Sequence, residues 1–126
     1  MQALIVDDSR AMRHILRKIL EPLGFQAWEA GHGVDGLRQL SAHPEIELVL
    51  VDWNMPEMNG IDFVQAVRAN PINDQLKLIM VTTESEPSRM ALALMRGADE
   101  FLMKPFTPDM LLDKLQLLGV SMPTPA

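Results

Sequence analysis

The chain has 126 residues, enough for one domain of ordinary size and too few for a second hydrophobic core. Hydrophobic residues make up 48% of it and charged residues 22%, as in a globular protein with a buried core. The formal net charge of -6 disfavours DNA or RNA as a partner, and the lack of cysteine excludes disulfides, thiolate nucleophiles and Cys-ligated zinc. We expect no membrane insertion and a cytoplasmic location, because every apolar run is too short to cross a bilayer and the first residues lack a secretory-signal pattern.

Short apolar runs alternate along the chain with stretches in which apolar residues recur at three- and four-residue spacing. The short runs predict five strands, at residues 3–6, 26–29, 47–51, 77–81 and 100–103. Three of these runs are nearly continuous, which is typical of strands covered on both faces. The periodic stretches predict a helix after each strand, and their apolar residues are Met12, Ile15, Leu16, Ile19, Leu20, Val34, Leu37, Leu40, Ile61, Val64, Val67, Ala91, Leu94, Met95, Leu111, Leu115 and Leu118.

Capping and helix-breaking residues mark the ends of the first and last predicted helices. Ser9 is suited to cap the first helix, which Pro22 and Gly24 then end. Thr107 is suited to cap the fifth helix, and Gly119 to end it.

Strands that alternate with helices predict a parallel sheet with right-handed crossovers and with helices on both faces. The fold class is therefore α/β, a doubly wound five-stranded sandwich. We expect residues 1–119 to form one domain and residues 120–126 to be a short C-terminal tail.

Polar residues follow four of the five predicted strands, at the carboxyl ends where ligand sites lie in such sheets. They are Asp7, Asp8, Asp52, Thr82, Thr83 and Lys104. Three carboxylates that lie close together repel one another unless a cation balances them, and Lys104 alone cannot balance all three. Mg²⁺, a hard cation that takes carboxylate and phosphate oxygens, suits this set of residues.

The same residues are suited to phosphoryl transfer. A carboxylate at a strand end can attack phosphorus and form an acyl phosphate, while Mg²⁺, a lysine and a hydroxyl neutralise the transferring oxygens. We assign the nucleophile to Asp52, because the loop that follows it, beginning at Trp53 and Asn54, is able to bring a backbone carbonyl to the metal.

Four segments of the sequence resemble a known family. They are LIVDDS at residues 4–9, VDWNMPEMNG at 51–60, MVTTE at 80–84 and EFLMKPF at 100–106. In order and spacing they resemble the receiver domains of two-component response regulators, especially the stand-alone, CheY-like type of chemotaxis. The resemblance implies a flavodoxin-like (βα)5 fold with strand order 2-1-3-4-5.

The resemblance also implies roles for the residues at the strand ends. Asp52 takes the position of the phosphoacceptor, with Asp8, Asp52 and the backbone carbonyl of Asn54 on Mg²⁺ and with Asp7 assisting through a water. Lys104 takes the position of the lysine that pairs with the phosphoryl group. The bond after Lys104, which precedes a proline, resembles one that the family holds in the cis form.

The switch positions of the family fall on Thr82, the hydroxyl, and Phe101, the aromatic ring. Phe101 lacks the hydroxyl of the tyrosine that is common in chemotaxis receivers, so only burial can hold its inward state. Thr83 and Glu84 occupy positions that control access to Asp52. Thr83 is bulkier than the residue usual there, and we predict altered phosphorylation or dephosphorylation kinetics.

The resemblance implies a signalling switch and not an enzyme with a turnover substrate. It would accept a phosphoryl group from the phosphohistidine of a sensor histidine kinase and lose it to water or with the help of a phosphatase. Phosphorylation would remodel a face that binds a downstream protein, either a flagellar motor switch component or a phosphotransfer protein of a relay. Two alternatives stay open: a haloacid-dehalogenase-like phosphatase, whose nucleophile however lies after the first strand, and a receiver that binds partners without phosphorylation.

Basic residues cluster on the first predicted helix, at Arg10, Arg13, Arg17 and Lys18. A solvated face is the simpler interpretation of this cluster, and a surface for a kinase or phosphatase is the alternative.

Overall fold

The structure, a computed structural model, describes residues 1–83 and 86–120. Strands and helices alternate along this part of the chain, with one strand before each helix. In chain order they are β1 (Gln2–Val6), α1 (Arg10–Leu20), β2 (Gln26–Ala30), α2 (Gly33–Ala42), β3 (Ile46–Asp52), α3 (Gly60–Arg68), β4 (Lys77–Thr82), α4 (Pro87–Arg96), β5 (Glu100–Met103) and α5 (Pro108–Leu117). Short 3-10 turns follow α1 and α3, at Glu21–Leu23 and Pro71–Asn73.

The five strands form a parallel sheet in the order β2-β1-β3-β4-β5. Leu4 of β1 lies opposite Trp28 of β2 on one side and Val49 of β3 on the other. The predicted fold class and strand order are thus confirmed. Because β1 and β3 are neighbours although β2 lies between them in sequence, the order of strands reverses at β1, next to β3.

Helices cover both faces of the sheet, which explains why the central strands are apolar throughout. Successive residues of β1 point to opposite faces, so Leu4 joins one buried cluster and Ile5 the other. Phe63 of α3 packs in the first cluster, and Leu16 of α1 and Leu111 of α5 pack in the second. Burial of apolar surface on both faces is the main force that holds these layers together.

The predicted caps are present at α1 and α5. The Ser9 side chain accepts a hydrogen bond from the backbone N–H of Met12 at 3.2 Å. The Thr107 hydroxyl accepts one from the backbone N–H of Met110 at 3.3 Å. After the 3-10 turn that follows α1, Gly24 adopts a left-handed φ of 96°, which glycine reaches without strain.

The apolar stripe predicted for α4 is wrong. Leu94 and Met95 are 45% and 82% exposed, and Ala91 is exposed too. The residue that α4 buries is Ala93, which is 1% exposed and belongs to the cluster around Phe63. A small side chain lets the helix backbone approach the core closely, so the larger apolar residues of α4 face outwards.

Among residues 1–83 and 86–120, no helix combines the length and apolar character needed to span a membrane.

Candidate functional site

Three carboxylates meet at the carboxyl end of the sheet, where its strand order reverses. Asp7 follows β1, Asp8 comes next, and Asp52 is the last residue of β3. Each offers a carboxylate oxygen, and these oxygens all lie within 4.8 Å of one another. Asp7 is 1% exposed and Asp52 is 7% exposed, whereas Asp8 is open to solvent. This acidic cluster, Asp7, Asp8 and Asp52, is therefore buried on one side and accessible on the other.

The backbone N–H and one carboxylate oxygen of Asp7 have hydrogen-bond partners, whereas its other carboxylate oxygen has none among the described residues. The Asp7 backbone N–H donates to the carbonyl of Ala30 at 3.1 Å, and its Oδ1 accepts from the backbone N–H of Ser9 at 2.8 Å. Its Oδ2 is buried and accepts no hydrogen bond from the described residues. A buried carboxylate oxygen without a donor is costly, so this atom is available to a cation or to a water bound to one.

Lys104 reaches the acidic cluster from the end of β5. Its Nζ lies 3.4 Å from Asp52 Oδ1 and 3.5 Å from Asp7 Oδ2. Its backbone N–H donates to the carbonyl of Thr82 at 2.8 Å, which ties the ends of β4 and β5 together. The bond between Lys104 and Pro105 is cis, as the resemblance implies.

The pKa of Asp52 is raised above its ordinary value. Burial is the largest cause, and the negative charge of Asp7 adds to it. The charge of Lys104 and hydrogen bonds from Lys104 and the Asn54 backbone lower the pKa and offset part of the rise. The contacts of Lys104 therefore do not fully offset the effects of burial and of Asp7 on Asp52.

The donor set fits a hard divalent cation. All three groups are carboxylates, the buried Oδ2 of Asp7 accepts no hydrogen bond from the described residues, and Asn54, two residues after Asp52, is exposed. Mg²⁺ binds in this way, through one or two carboxylates with water and phosphate oxygens completing the shell.

The loop between β3 and α3 is packed closely against the end of β3 at Gly60. The Gly60 N–H donates to the carbonyl of Trp53 at 2.8 Å. A Cβ atom at this position would lie 2.4 Å from the carbonyl oxygen of Asp52 and 2.9 Å from Cα of Trp53. The backbone that carries Asp52 thus has room only for glycine here, and Trp53 itself is buried in the core.

Two other predicted site residues, Thr82 and Thr83, lie at this edge of the sheet. Thr82, the last residue of β4, is fully buried, and Thr83 beyond it is exposed. Phe101 of β5 is half-buried against the cluster that contains Phe63. Glu84 lies outside the described residues.

The basic residues of α1 do not form a uniform solvated face, which corrects the simpler interpretation. Arg10 and Lys18 are exposed, but Arg13 and Arg17 turn towards β2 and both bind Glu29. Arg13 Nε lies 3.1 Å from one Glu29 oxygen, and Arg17 Nη1 lies 3.0 Å from the other. The spacing of Arg13 and Arg17 predicts that they share one face of the helix, but the sequence does not indicate that both bind Glu29.

Comparisons with known proteins agree with this geometry. The family model of the response regulator receiver domain matches residues 3–116. The chain is 41% identical to chemotaxis protein CheY1 of Helicobacter pylori over 94% of its own length and 96% of the relative's. It is also 41% identical to a chemotaxis protein CheY homolog of Campylobacter jejuni, over 92% of its length and 90% of the relative's.

Two solved structures share the architecture. Chemotaxis protein CheY4 of Vibrio cholerae matches with a TM-score of 0.87 and 32% identity, over 93% of this chain and 97% of that one. A Borrelia burgdorferi chain from the CheX-CheY-BeF3-Mg+2 complex matches with a TM-score of 0.89 and 26% identity, over 96% of this chain and 90% of that one. With its sheet order, its acidic cluster and these similarities, the chain belongs to the response regulator receiver domain family, in its chemotaxis CheY-like branch.

Proposed function

We propose that the chain is a signalling switch that accepts a phosphoryl group on Asp52 from a histidine kinase in the presence of Mg²⁺. The observation that carries the proposal is the acidic cluster, whose three carboxylates face one lysine ammonium at the sheet's carboxyl end. An excess of negative charge at a partly open site favours a divalent cation, and a cation there favours a phosphoryl group beside it.

The chemistry is a transfer in two steps. A carboxylate oxygen of Asp52 attacks the phosphorus of a kinase phosphohistidine, the P–N bond breaks, and the imidazole takes up a proton. Water later attacks the acyl phosphate, which releases inorganic phosphate and returns the Asp52 carboxylate. Asp8, Asp52, the Asn54 carbonyl and, through water, Asp7 would hold Mg²⁺, which would supply positive charge for the phosphoryl oxygens.

Lys104 has a separate task in this proposal. Its ammonium already lies 3.4 Å from Asp52 Oδ1, so it is within reach of an oxygen on a phosphoryl group attached there. Pairing with the phosphoryl group would draw Lys104 away from Asp7 and Asp52. This change of partner turns a local change of charge into a movement at the end of β5.

The output is a change of binding surface. Thr82 would turn its hydroxyl towards the phosphoryl group, Phe101 would follow inwards, and the face made by α4, β5 and α5 would change shape. Leu94 and Met95 of α4 already present apolar surface on the outside of this region. A surface of this kind can bind a partner protein when its shape is set correctly.

Three kinds of partner follow from the proposal: a sensor histidine kinase, a downstream target and a phosphatase. The cytoplasm is the proposed location, because the phosphohistidine of such a kinase has to be within reach. The relatives are named chemotaxis proteins, and a chemotaxis motor switch component is our first candidate for the target. A phosphotransfer protein of a relay is the second candidate, and transfer of the phosphoryl group onto a histidine of that protein would identify it.

The test is to incubate the protein with acetyl phosphate, with and without MgCl2, and to weigh it intact. The wild-type chain and the control variant Asp62→Asn, which alters an exposed carboxylate of α3, should each gain one phosphoryl group only with Mg²⁺. Asp52→Asn should gain none. A folded wild-type chain that acetyl phosphate and candidate kinases both leave unmodified would instead favour a module that binds partners without phosphorylation.

A further inference from the structure

The backbone carbonyl of Asp7, a member of the acidic cluster, accepts a hydrogen bond from an arginine of the neighbouring helix. Arg13 Nη1 of α1 donates a hydrogen bond to the Asp7 carbonyl oxygen at 2.6 Å. Asp7 lies just beyond β1, where the regular pairing of β1 with β2 and β3 has ended at Val6. The guanidinium therefore satisfies a carbonyl at the point where the chain turns from the sheet towards the exposed Asp8.

The same guanidinium is fixed from its other side. Arg13 Nε lies 3.1 Å from Glu29 Oε1 of β2, and the side chain of Arg13 is 18% exposed. Arg17, one helical turn further along α1, holds the second oxygen of Glu29 at 3.0 Å. Glu29 is thus held by two arginines, and Arg13 is kept in one orientation between Glu29 and Asp7.

We infer that Arg13 is a positioning residue for the proposed Mg²⁺ site. By binding the Asp7 carbonyl, it fixes the turn that directs the carboxylates of Asp7 and Asp8 towards Asp52. This inference rests on the proposed function and adds to it a residue that would touch neither the metal nor the phosphoryl group. Groups that orient metal ligands are worth about tenfold or more in metal affinity.

Geometry, and not charge alone, is the basis of the effect. The charge of Arg13 is already paired with Glu29, so a positive group at this position adds little net charge to the acidic cluster. A planar guanidinium can donate to Asp7 and Glu29 at once in a fixed direction, whereas a lysine ammonium is a single flexible point charge. Arg13→Lys therefore keeps the positive charge but cannot bind the Asp7 carbonyl and Glu29 at once in a fixed direction.

Arg17→Lys is the matched control. Arg17 lies on the same helix and binds the same glutamate, but its other contacts are with Glu21 and the Ala27 carbonyl, away from the acidic cluster. A purely structural role, joining α1 to β2, would make the two substitutions equivalent.

The experiment follows thermal unfolding of the full chain by circular dichroism over a series of MgCl2 concentrations, at constant ionic strength set with KCl. The rise of Tm with MgCl2 gives the Kd of the folded chain for Mg²⁺, and the Tm without MgCl2 gives the structural cost of each substitution. We expect Arg13→Lys to weaken Mg²⁺ binding by about tenfold and Arg17→Lys to leave it within about twofold of wild type. Both variants should have a lower Tm without MgCl2.

Glu29→Gln is a second variant, which serves if Arg13→Lys does not fold. It keeps the side-chain volume and leaves the bond between Arg13 and Asp7, but it removes the charge that fixes Arg13. We expect it to weaken Mg²⁺ binding, although by less than Arg13→Lys does.

Two results would overturn the inference while leaving the proposed function intact, provided that the Tm of wild type rises with MgCl2. The first is that the Mg²⁺ titrations of Arg13→Lys and Glu29→Gln superimpose on that of wild type. The second is that Arg13→Lys and Arg17→Lys lose Mg²⁺ affinity equally. A wild-type chain whose Tm does not respond to MgCl2 would instead overturn the metal site of the proposed function, and the inference with it.

Discussion

The carboxyl and amino ends of the sheet differ in how completely their charged side chains are paired. At the carboxyl end, three carboxylates face one ammonium, and a buried oxygen of Asp7 accepts no hydrogen bond from the part of the chain that the structure describes. At the amino end, near the starts of β4 and β5, one arginine meets a matching set of acceptors. Arg68 of α3 donates from Nε to the Gly97 carbonyl at 2.9 Å and from Nη2 to the Leu76 carbonyl at 2.8 Å, and Nη2 also lies 2.9 Å from Asp99 Oδ2.

Asp99 is satisfied at the amino end in a way that Asp7 is not at the carboxyl end. Besides Arg68, Asp99 Oδ2 accepts the backbone N–H of Leu78 at 2.8 Å. Polar groups that are fully partnered add to stability, whereas a carboxylate that lacks donors reduces it until something else binds. At the amino end, Arg68 and Asp99 are thus matched by protein partners, whereas the acidic cluster at the carboxyl end has more negative than positive charge, and there a cation and a phosphoryl group are proposed to bind.

The largest expected effect is on stability, at the satisfied end. Arg68→Met keeps the apolar stem but removes the donor of the Gly97 and Leu76 carbonyls and the ion-pair partner of Asp99, so we expect a loss of about 2–3 kcal/mol in the free energy of unfolding. Urea denaturation measures it, and the Mg²⁺ affinity of the folded variant should be unchanged. Arg38→Met is the control, because Arg38 is exposed and its weak pair with Asp35 should contribute less than about 0.5 kcal/mol.

Loss of stability below about 1 kcal/mol in Arg68→Met would mean that the two ends do not differ as described.

The next largest effect is expected at Gly60, which packs against the backbone that carries Asp52. Gly60→Ala places a methyl group against the Asp52 carbonyl and the Trp53 Cα, so the backbone has to shift, at a cost of about 2 kcal/mol. Because Asp52 moves with that backbone, Mg²⁺ binding should weaken as well, which a titration of Tm with MgCl2 measures. At the control position, Gly31→Ala, a Cβ would have its nearest contact at an ordinary 3.6 Å, and both quantities should change little. A Gly60→Ala protein with wild-type Tm and Mg²⁺ affinity would contradict the close packing.

A smaller effect of opposite sign is expected from Asp52 itself. Its pKa in the folded chain is raised by burial and by Asp7, so on raising the pH the unfolded chain loses this proton first and ionisation destabilises the fold. Asp52→Asn cannot ionise, and without Mg²⁺ at pH 7 its Tm should therefore exceed that of wild type. The gain should shrink as the pH falls below the raised pKa of Asp52 in the folded chain, and it should be gone once the pH reaches the ordinary aspartate pKa of about 4.

Added MgCl2 should stabilise the wild-type chain and remove the advantage of Asp52→Asn. A variant that melts below wild type at neutral pH without Mg²⁺ would show that the site end is not short of positive charge.

The smallest structural effect is expected at Thr83, which is exposed beside the site. Thr83→Ala should change the free energy of unfolding by less than about 0.5 kcal/mol. It should nevertheless change the rate of phosphorylation by acetyl phosphate or the rate of dephosphorylation, because a smaller side chain opens the approach to Asp52. Time courses of intact mass measure both rates, and two unchanged rates would remove Thr83 from the control of access.

The fold could be predicted from the sequence because strands covered on both faces leave continuous apolar runs, and the predicted strands agree with β1 to β5 within a residue at each end. The burial of α4 could not, since hydropathy favours Leu94 and Met95 over Ala93. Which face of a helix packs inwards depends on how closely its backbone can approach the core, and that distance is set by the neighbouring layers.

The acidic cluster was predictable for a related reason: parallel strands bring their carboxyl ends to one edge, so residues that follow different strands meet there. The contacts of Arg13 and Arg68 were not predictable. Each guanidinium binds backbone carbonyls on other segments. Because every residue has a backbone carbonyl, the residue types do not show which one will accept the hydrogen bond. Long side chains can turn to solvent or to such acceptors, and only the assembled fold decides between the two.

The distance along the chain between Asp52 and Lys104, 52 positions, bears on how the protein is made. A ribosome that has completed β3 has already produced Asp7, Asp8 and Asp52, while the amine that offsets them is added only with the last strand. The negative half of the site therefore precedes the positive half throughout synthesis. A fragment that ends before Lys104 contains the acidic residues without the ammonium, so a complete site is a property of the chain that has been translated beyond β5.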